Sequence, residues 1–197
     1  MVDRASIKDL LISYFEVDGR YTINDDLSVD TEHSVIVRNR GRSFFPNGKL
    51  PIKFGTVGGD FDVVNTGLTT LEGAPHSVGD TFMCSANKLT TLEHGPQKVR
   101  YGYVIGTNPL INLEGFPTSN APDMVSMYYM PHLPLLKLLS CEQIRLYPPA
   151  DRDTDAEQLK VDQILVILNK HKGSGKPGAL KCAGELIKAG FKENARW

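Results

Sequence analysis

The sequence predicts a short right-handed α/β solenoid with a 21-residue period, closed by an N-terminal helix and hairpin cap and by a C-terminal helical pair. Three observations carry that prediction. The phrase Leu68-Thr-Thr-Leu71-Glu-Gly-Ala-Pro75 returns as Leu89-Thr-Thr-Leu92-Glu-His-Gly-Pro96 and again as Leu110-Ile-Asn-Leu113-Glu-Gly-Phe-Pro117, each time 21 residues on. Four other columns keep the same step: Val57, Val78 and Val99; Phe61, Phe82 and Tyr103; Val63, Cys84 and Ile105; Thr66, Asn87 and Asn108. Outside these columns the period breaks and helical spacing takes over, as the capping units of stacked repeats require.

One unit reads Phe82-x-Cys84-x-x-Asn87-x-Leu89-x-x-Leu92 and the next Tyr103-x-Ile105-x-x-Asn108-x-Leu110-x-x-Leu113, which is the leucine-rich repeat pattern. Alternate apolar residues point inward from a short strand, an asparagine bonds backbone groups where the chain bends, and the leucines fill the coil. A single coil leaves both faces open, so about five must stack into one core. Asn87 and Asn108 are therefore expected to be buried and bonded to backbone. The next unit, Tyr128-x-Met130-x-x-Leu133-x-Leu135-x-x-Leu138, carries Leu133 in the asparagine slot, and Leu138 follows Leu113 by 25 residues instead of 21. Ile144-Arg-Leu146-Tyr147 reads as a last strand stopped by Pro148-Pro149, and Val35-Ile36-Val37 as the first. Leu50 and Phe54 take the slots of Leu71 and Pro75.

The flanks follow. Ser6 to Asp9 resembles a capping box, with Ile7, Leu10, Leu11 and Tyr14 at helical spacing, giving a helix from about Ser6 to Phe15. Asp18-Gly19 signals a hairpin between Phe15-Val17 and Tyr21-Ile23. Thr154 and Glu157 form a second capping box before an amphipathic helix with Leu159, Ile164, Leu165 and Leu168, and a last helix runs from about Pro177 to Ala189 with Gly190 as its stop. The organisation is thus 1–30 N-terminal cap, 31–149 repeat solenoid and 150–197 C-terminal helical hairpin cap.

The phrase from Leu68 to Gly79, with the upstream Tyr21-Thr-Ile-Asn-Asp-Asp26, resembles small leucine-rich repeat proteins encoded by tailed bacteriophages, mostly of unknown function. The likeness covers about Leu50 to Leu138, and Gly178 to Trp197 is similar to the closing helix of such proteins. The resemblance implies a phage origin, a binding scaffold and the cytoplasm of an infected bacterium. It supplies no catalytic residues.

At 197 residues the chain can bury a core without disulfides. Its three cysteines, Cys84, Cys141 and Cys182, are odd in number and widely spaced, which argues against a disulfide framework. No apolar run approaches the ~18 residues of a membrane span. Cys84 shares an inward column with Val63 and Ile105 and reads as a small core residue. The five histidines, His33, His76, His94, His132 and His171, show no ligand spacing, so no metal or cofactor is expected. Gly173-Ser-Gly-Lys176 fails as a phosphate loop: Lys170 stands where the first glycine belongs, and Pro177 where Ser or Thr belongs. No serine, histidine and acid trio stands out, and a non-catalytic chain is expected.

Net charge is -1, yet it is organised. Segment 33–53 carries Arg38, Arg40, Arg42, Lys49 and Lys53 without an acid, segment 168–197 is also +5, and the first 30 residues are -4. The leading expectation for function is a protein-interaction module that binds a host protein and inhibits or redirects it; binding of nucleic acid or nucleoprotein through segments 33–53 and 168–197 is the alternative, and an enzyme with an unrecognised site the third. Two surfaces are candidate contacts. In the loop, Arg38, Arg40, Arg42, Phe44 and Phe45 either meet a partner, or Phe44 and Phe45 plug the solenoid end. On the strands, the pattern points Met83, Val104 and Tyr129 outward as one apolar stripe, widened by Met127 and Tyr101 unless the C-terminal helices fold over it.

Overall fold

Apolar residues that alternate within each coil and repeat every 21 positions bury themselves by stacking, and they do so in two sheets that make a β-solenoid of about five turns followed by two helices. The computed structural model describes residues 3–38, 45–149 and 154–197. The larger sheet holds β1 (Phe15–Val17), β4 (Val35–Val37), β6 (Phe61–Asp62), β8 (Thr81–Met83), β10 (Gly102–Val104), β11 (Met124–Tyr128) and β12 (Gln143–Tyr147). The smaller holds β2 (Tyr21–Ile23), β3 (Val29–Thr31), β5 (Phe54–Val57), β7 (Ser77–Val78) and β9 (Lys98–Val99). Helix α1 (Arg4–Tyr14) precedes them, and α2 (Asp155–His171) and α3 (Gly175–Lys188) follow.

The return side of each repeat is itself a strand. Val57, Val78 and Val99 pair side by side as strands of the second parallel sheet, so among the described residues the coils contain no α-helix. Proline followed by a two-residue strand leaves no run long enough to wind a helix turn. The coils approach closely at the corner between the sheets: a Cβ on Gly79 would lie 2.0 Å from the Gly58 carbonyl oxygen, and one on Gly58 equally near that of Glu32.

Inside the stack the bulkiest residues meet ring to ring. Phe15, Phe54, Phe61, Phe82, Tyr103 and Phe116 form a continuous series with centroids 4.9–6.0 Å apart. All but the Tyr103 hydroxyl are apolar, and that oxygen is buried without a hydrogen-bond partner among the described residues.

The bend after each strand is built by two further columns. Asn65, Ala86 and Thr107 take left-handed backbone angles (φ 56 to 60°), which turn the chain off the sheet and bring its carbonyls inward. The asparagines satisfy them as expected. Asn87 Nδ2 donates to the carbonyls of Val63 (2.8 Å) and Cys84 (2.9 Å), while its Oδ1 accepts from the backbone N–H groups of Thr66 and Leu68 (both 3.0 Å). Asn108 repeats this one coil on, donating to Cys84 and Ile105 and accepting from Leu89. Where Leu133 leaves the pattern without an amide, Asn194 arrives from the chain beyond α3. It is 1 % exposed, its Nδ2 donates to the Leu133 carbonyl at 2.8 Å, its Oδ1 accepts from the Tyr129 hydroxyl at 3.1 Å, and its backbone oxygen accepts from Leu135 N–H.

The fourth coil is also shifted in register. Tyr103 pairs with Val125, and β11 continues Val125, Met127, Tyr129 as its inward set. One of the four extra residues therefore enters before the strand, and the expected inward pair Tyr128 and Met130 faces out.

At the N-terminus, Asp3 caps α1 by accepting from Ser6 N–H and Oγ (both 2.8 Å), three residues ahead of the expected cap. The Asp18-Gly19 hairpin is replaced by a crossing between sheets: β1 pairs antiparallel with β4, and β2 with β3. Pairing with the solenoid seats Phe15 against Phe54 at 5.1 Å, a burial that a hairpin of two three-residue strands could not provide. At the other end, Thr154 caps α2 through Glu157 N–H as expected. Helix α3 starts two residues before the expected Pro177 and ends in the bond pair of a Schellman turn, Gly190 N–H to Ile187 O and Phe191 N–H to Leu186 O, with Gly190 at φ 90°.

Replacing Asn87 with Leu should leave the N–H groups of Thr66 and Leu68 unmet and remove one of the two side-chain bonds to each of the Val63 and Cys84 carbonyls, a loss of about 3 kcal/mol or more in urea unfolding, and Asn194→Ala should cost about 2 kcal/mol. A wild-type unfolding midpoint in either variant would refute the assignment. Tyr103→Phe should go the other way, raising stability by about 1 kcal/mol because it deletes an unpartnered buried hydroxyl.

Candidate functional site

The outward side of the larger sheet follows from the register. With Val35, Phe61, Phe82, Tyr103, Val125 and Ile144 facing in, the residue after each faces out, so the middle outward row is Ile36, Asp62, Met83, Val104, Ser126 and Arg145. Met83 and Val104 are partly exposed neighbours, as expected. Tyr129 and Met127 are not: they are 4 % and 1 % exposed and belong to the interior, because the one-residue shift in β11 swaps the two sides of that strand.

Residues the sequence reading missed replace them. Met124 lies over Gly102, its Cε 3.1 Å from where a Cβ would be, and the Tyr128 ring lies 3.2 Å from the corresponding point on Gly106. Tyr128 in turn meets Tyr147 with centroids 6.2 Å apart. The two glycines thus provide hollows into which large side chains fold, and Met83, Val104, Met124, Tyr128 and Tyr147 make one mixed aromatic and thioether patch. Tyr101 is exposed as expected, with the Arg100 guanidinium 4.8 Å above its ring. The helices do not cover this side: Gln143, Arg145 and Tyr147 of β12 are exposed, while α2 packs on the coil end.

Of the basic loop, Arg40, Arg42 and Phe44 lie outside the described residues. Phe45 is buried against Phe15 and Tyr14, so it plugs the interior and is withdrawn from partner contact. Arg38 is held at the sheet edge, donating to the Phe15 carbonyl at 2.9 Å and meeting Glu16 at 3.3 Å. Lys49 pairs with Glu72, and Lys53 with Asp26, whose carboxyl the lysine holds well below the usual carboxylate range. Three of the five bases of segment 33–53 are therefore already matched by acids from elsewhere in the fold.

The remaining motifs resolve as structure. Gly173–Lys176 spans the end of the turn between α2 and α3 and the first residues of α3, with Gly173 N–H bonded to the Leu139 carbonyl. Glu185 of α3 accepts from Lys170 at 2.7 Å and lies 3.2 Å from His171 Nε2, and the lysine bond keeps its carboxyl below the ordinary range. All three cysteines are buried and unpaired. Burial pushes Cys141 up to about 12 and Cys182 up to about 11, and raises Cys84 further, so each is a thiol and not a thiolate near neutral pH.

Comparison with family models, with curated proteins and with solved structures gives no match to this chain. Among the described residues, no helix is long and apolar enough to cross a membrane.

Two substitutions separate the sides of the sheet. Met83→Asp should change thermal stability by about 0.5 kcal/mol or less, whereas Met127→Asp, which buries an unpaired charge, should cost several kcal/mol or prevent folding. Equal melting temperatures would contradict the pairing of Val125 with Tyr103.

Proposed function

We propose that this chain is a non-catalytic binding module that holds a partner protein against the patch of Met83, Val104, Met124, Tyr128 and Tyr147. The observation that carries this reading is the patch itself: adaptable thioethers beside tyrosines, set on parallel strands of which β8, β10 and β11 each have a neighbour on both sides. Tyrosine and methionine are enriched at protein interfaces, where a ring supplies area at low entropic cost. Taken with the resemblance to phage leucine-rich repeat proteins, the partner is a host protein in the cytoplasm of an infected bacterium, which the module inhibits or redirects.

Contact with nucleic acid through the basic segments is the weaker reading, since Arg38, Lys49 and Lys53 already face acids. Capture from bacterial lysate, quantified by mass spectrometry for wild type and for the Met83→Asp, Val104→Asp double variant, tests the proposal. The expected result is a captured protein that persists at moderate salt and after nuclease treatment, and that the double variant loses while melting as wild type does. Capture that falls steeply with salt and vanishes with nuclease would favour nucleic acid, and undiminished capture by the double variant would move the site off this sheet.

A further inference from the structure

Away from the sheet patch, the C-terminal part of the molecule carries a trough of its own. One wall is α3 and the other the short 3-10 segment Leu136–Ser140. Two backbone bonds fix their relation. Gly173 N–H bonds to the Leu139 carbonyl, which sets the start of α3 beside Ser140, and Leu135 N–H bonds to the Asn194 carbonyl, which sets the chain after α3 beside Leu136. The walls therefore run in opposite directions. Between them lies a groove of about 930 Å³, within the range of small-molecule sites. Leu136, Leu139 and Ala179, each under a tenth exposed, form its floor, and Leu180, Ala183 and Trp197 stand along its sides.

Charge is confined to one end of the trough. Of the described residues that line it, Lys176 alone is charged, and it stands at the Ser140 end. Lys176 is exposed and forms no ion pair among the described residues, whereas Lys170 is held by Glu185 and Lys172 by the Glu142 carbonyl. The first turn of α3 contains no acid and its N-cap Ser174 makes no side-chain cap bond, so the positive end of the helix dipole adds to the lysine. From Lys176 the trough follows α3 for about 10 Å to Ala183.

These features select the occupant. A partner helix laid in a trough of that length would find contacts for only about two of its turns. A flat anionic bilayer would meet Lys176 but leave the recessed floor unfilled. A short apolar chain ending in a single anionic group fills the floor and meets the one cation. We propose that the groove beside α3 binds a single-chain carboxylate amphiphile, a fatty acid of medium length, with its carboxylate at Lys176 and its alkyl chain over Leu136, Leu139 and Ala179. None of these residues belongs to the sheet patch, so the inference stands or falls separately from the reading above.

The chain contains one tryptophan, Trp197, 65 % exposed on the side of the groove, and it reports occupancy. The probes are octanoate, decanoate and dodecanoate, each added to the full chain below its micelle concentration. Trp197 emission should shift to shorter wavelength, with affinity on the order of tens of micromolar for dodecanoate and a gain of about tenfold for each added pair of methylenes. Dodecyltrimethylammonium, with the same chain and the opposite charge, should bind about tenfold more weakly or worse. Lys176→Glu, at an exposed position, should reverse that preference while melting as wild type does. Ala183→Phe, which fills the trough, should weaken dodecanoate about tenfold or more. Absence of an emission shift, affinity that does not depend on chain length, equal binding of the two head groups, or a preference that survives Lys176→Glu would overturn the proposal. So would undiminished binding by Ala183→Phe, a shift given by phosphatidylglycerol vesicles and not by the free acids, or dimerisation of the unliganded wild type in sedimentation that buries Trp197.

Discussion

The solenoid depends on a side-chain amide buried at the bend of each coil. A parallel stack must turn its backbone inward between strand and leucine limb, and every carbonyl turned inward is lost to water. Asn87 resolves this by spanning two coils at once: it donates to Val63 in the coil before and to Cys84 in its own, and it accepts from Thr66 and Leu68. The aromatic series and the leucine columns are held in step by these bonds, because an amide placed one residue away would meet neither carbonyl. Thr66, which donates to Val63 O and to Asn87 Oδ1, ends the ladder on one side, and Asn194 ends it on the other.

Much of this was legible in the sequence because a fixed period writes the same environment several times over. The columns of Phe61, Phe82 and Tyr103 and of Thr66, Asn87 and Asn108 are neighbours in space for the reason that they are 21 residues apart. Legibility fails where repetition fails. The run Met124-Val-Ser-Met-Tyr-Tyr-Met130 is apolar on both parities, so alternation alone cannot say which side is buried, and the pairing of Val125 with Tyr103 decides it. The second sheet through Val57, Val78 and Val99 was not read in advance, since strands of two residues carry no periodicity to read. Asn194 could not have been found from local pattern at all, because its partners lie more than 60 residues away.

The same contrast separates the two surfaces. The sheet patch was partly visible in advance, since Met83 and Val104 sit in the regular coils, while Met124, Tyr128 and Tyr147 depended on the register of the irregular one. The groove beside α3 was invisible, because its floor comes from Leu136 and Leu139 and its wall from Trp197, segments brought together only by the docking of the helices. One chain thus presents a fixed sheet face and a separate helical trough.

The reach of Asn194 also sets an order of assembly. Side-chain bonds between the regular coils close loops of 19 to 24 residues, whereas the bond from Asn194 to Leu133 closes one of 61. The longer closure costs roughly 0.9 kcal/mol more chain entropy, and the loop it closes contains both helices. The inner coils can therefore zip together on local contacts, while the carbonyls of the coil around Leu133 stay hydrated until α2 and α3 have formed and docked. Chain entropy thus favours a direction of folding, with the regular repeats as its nucleus and the helical pair as its final latch.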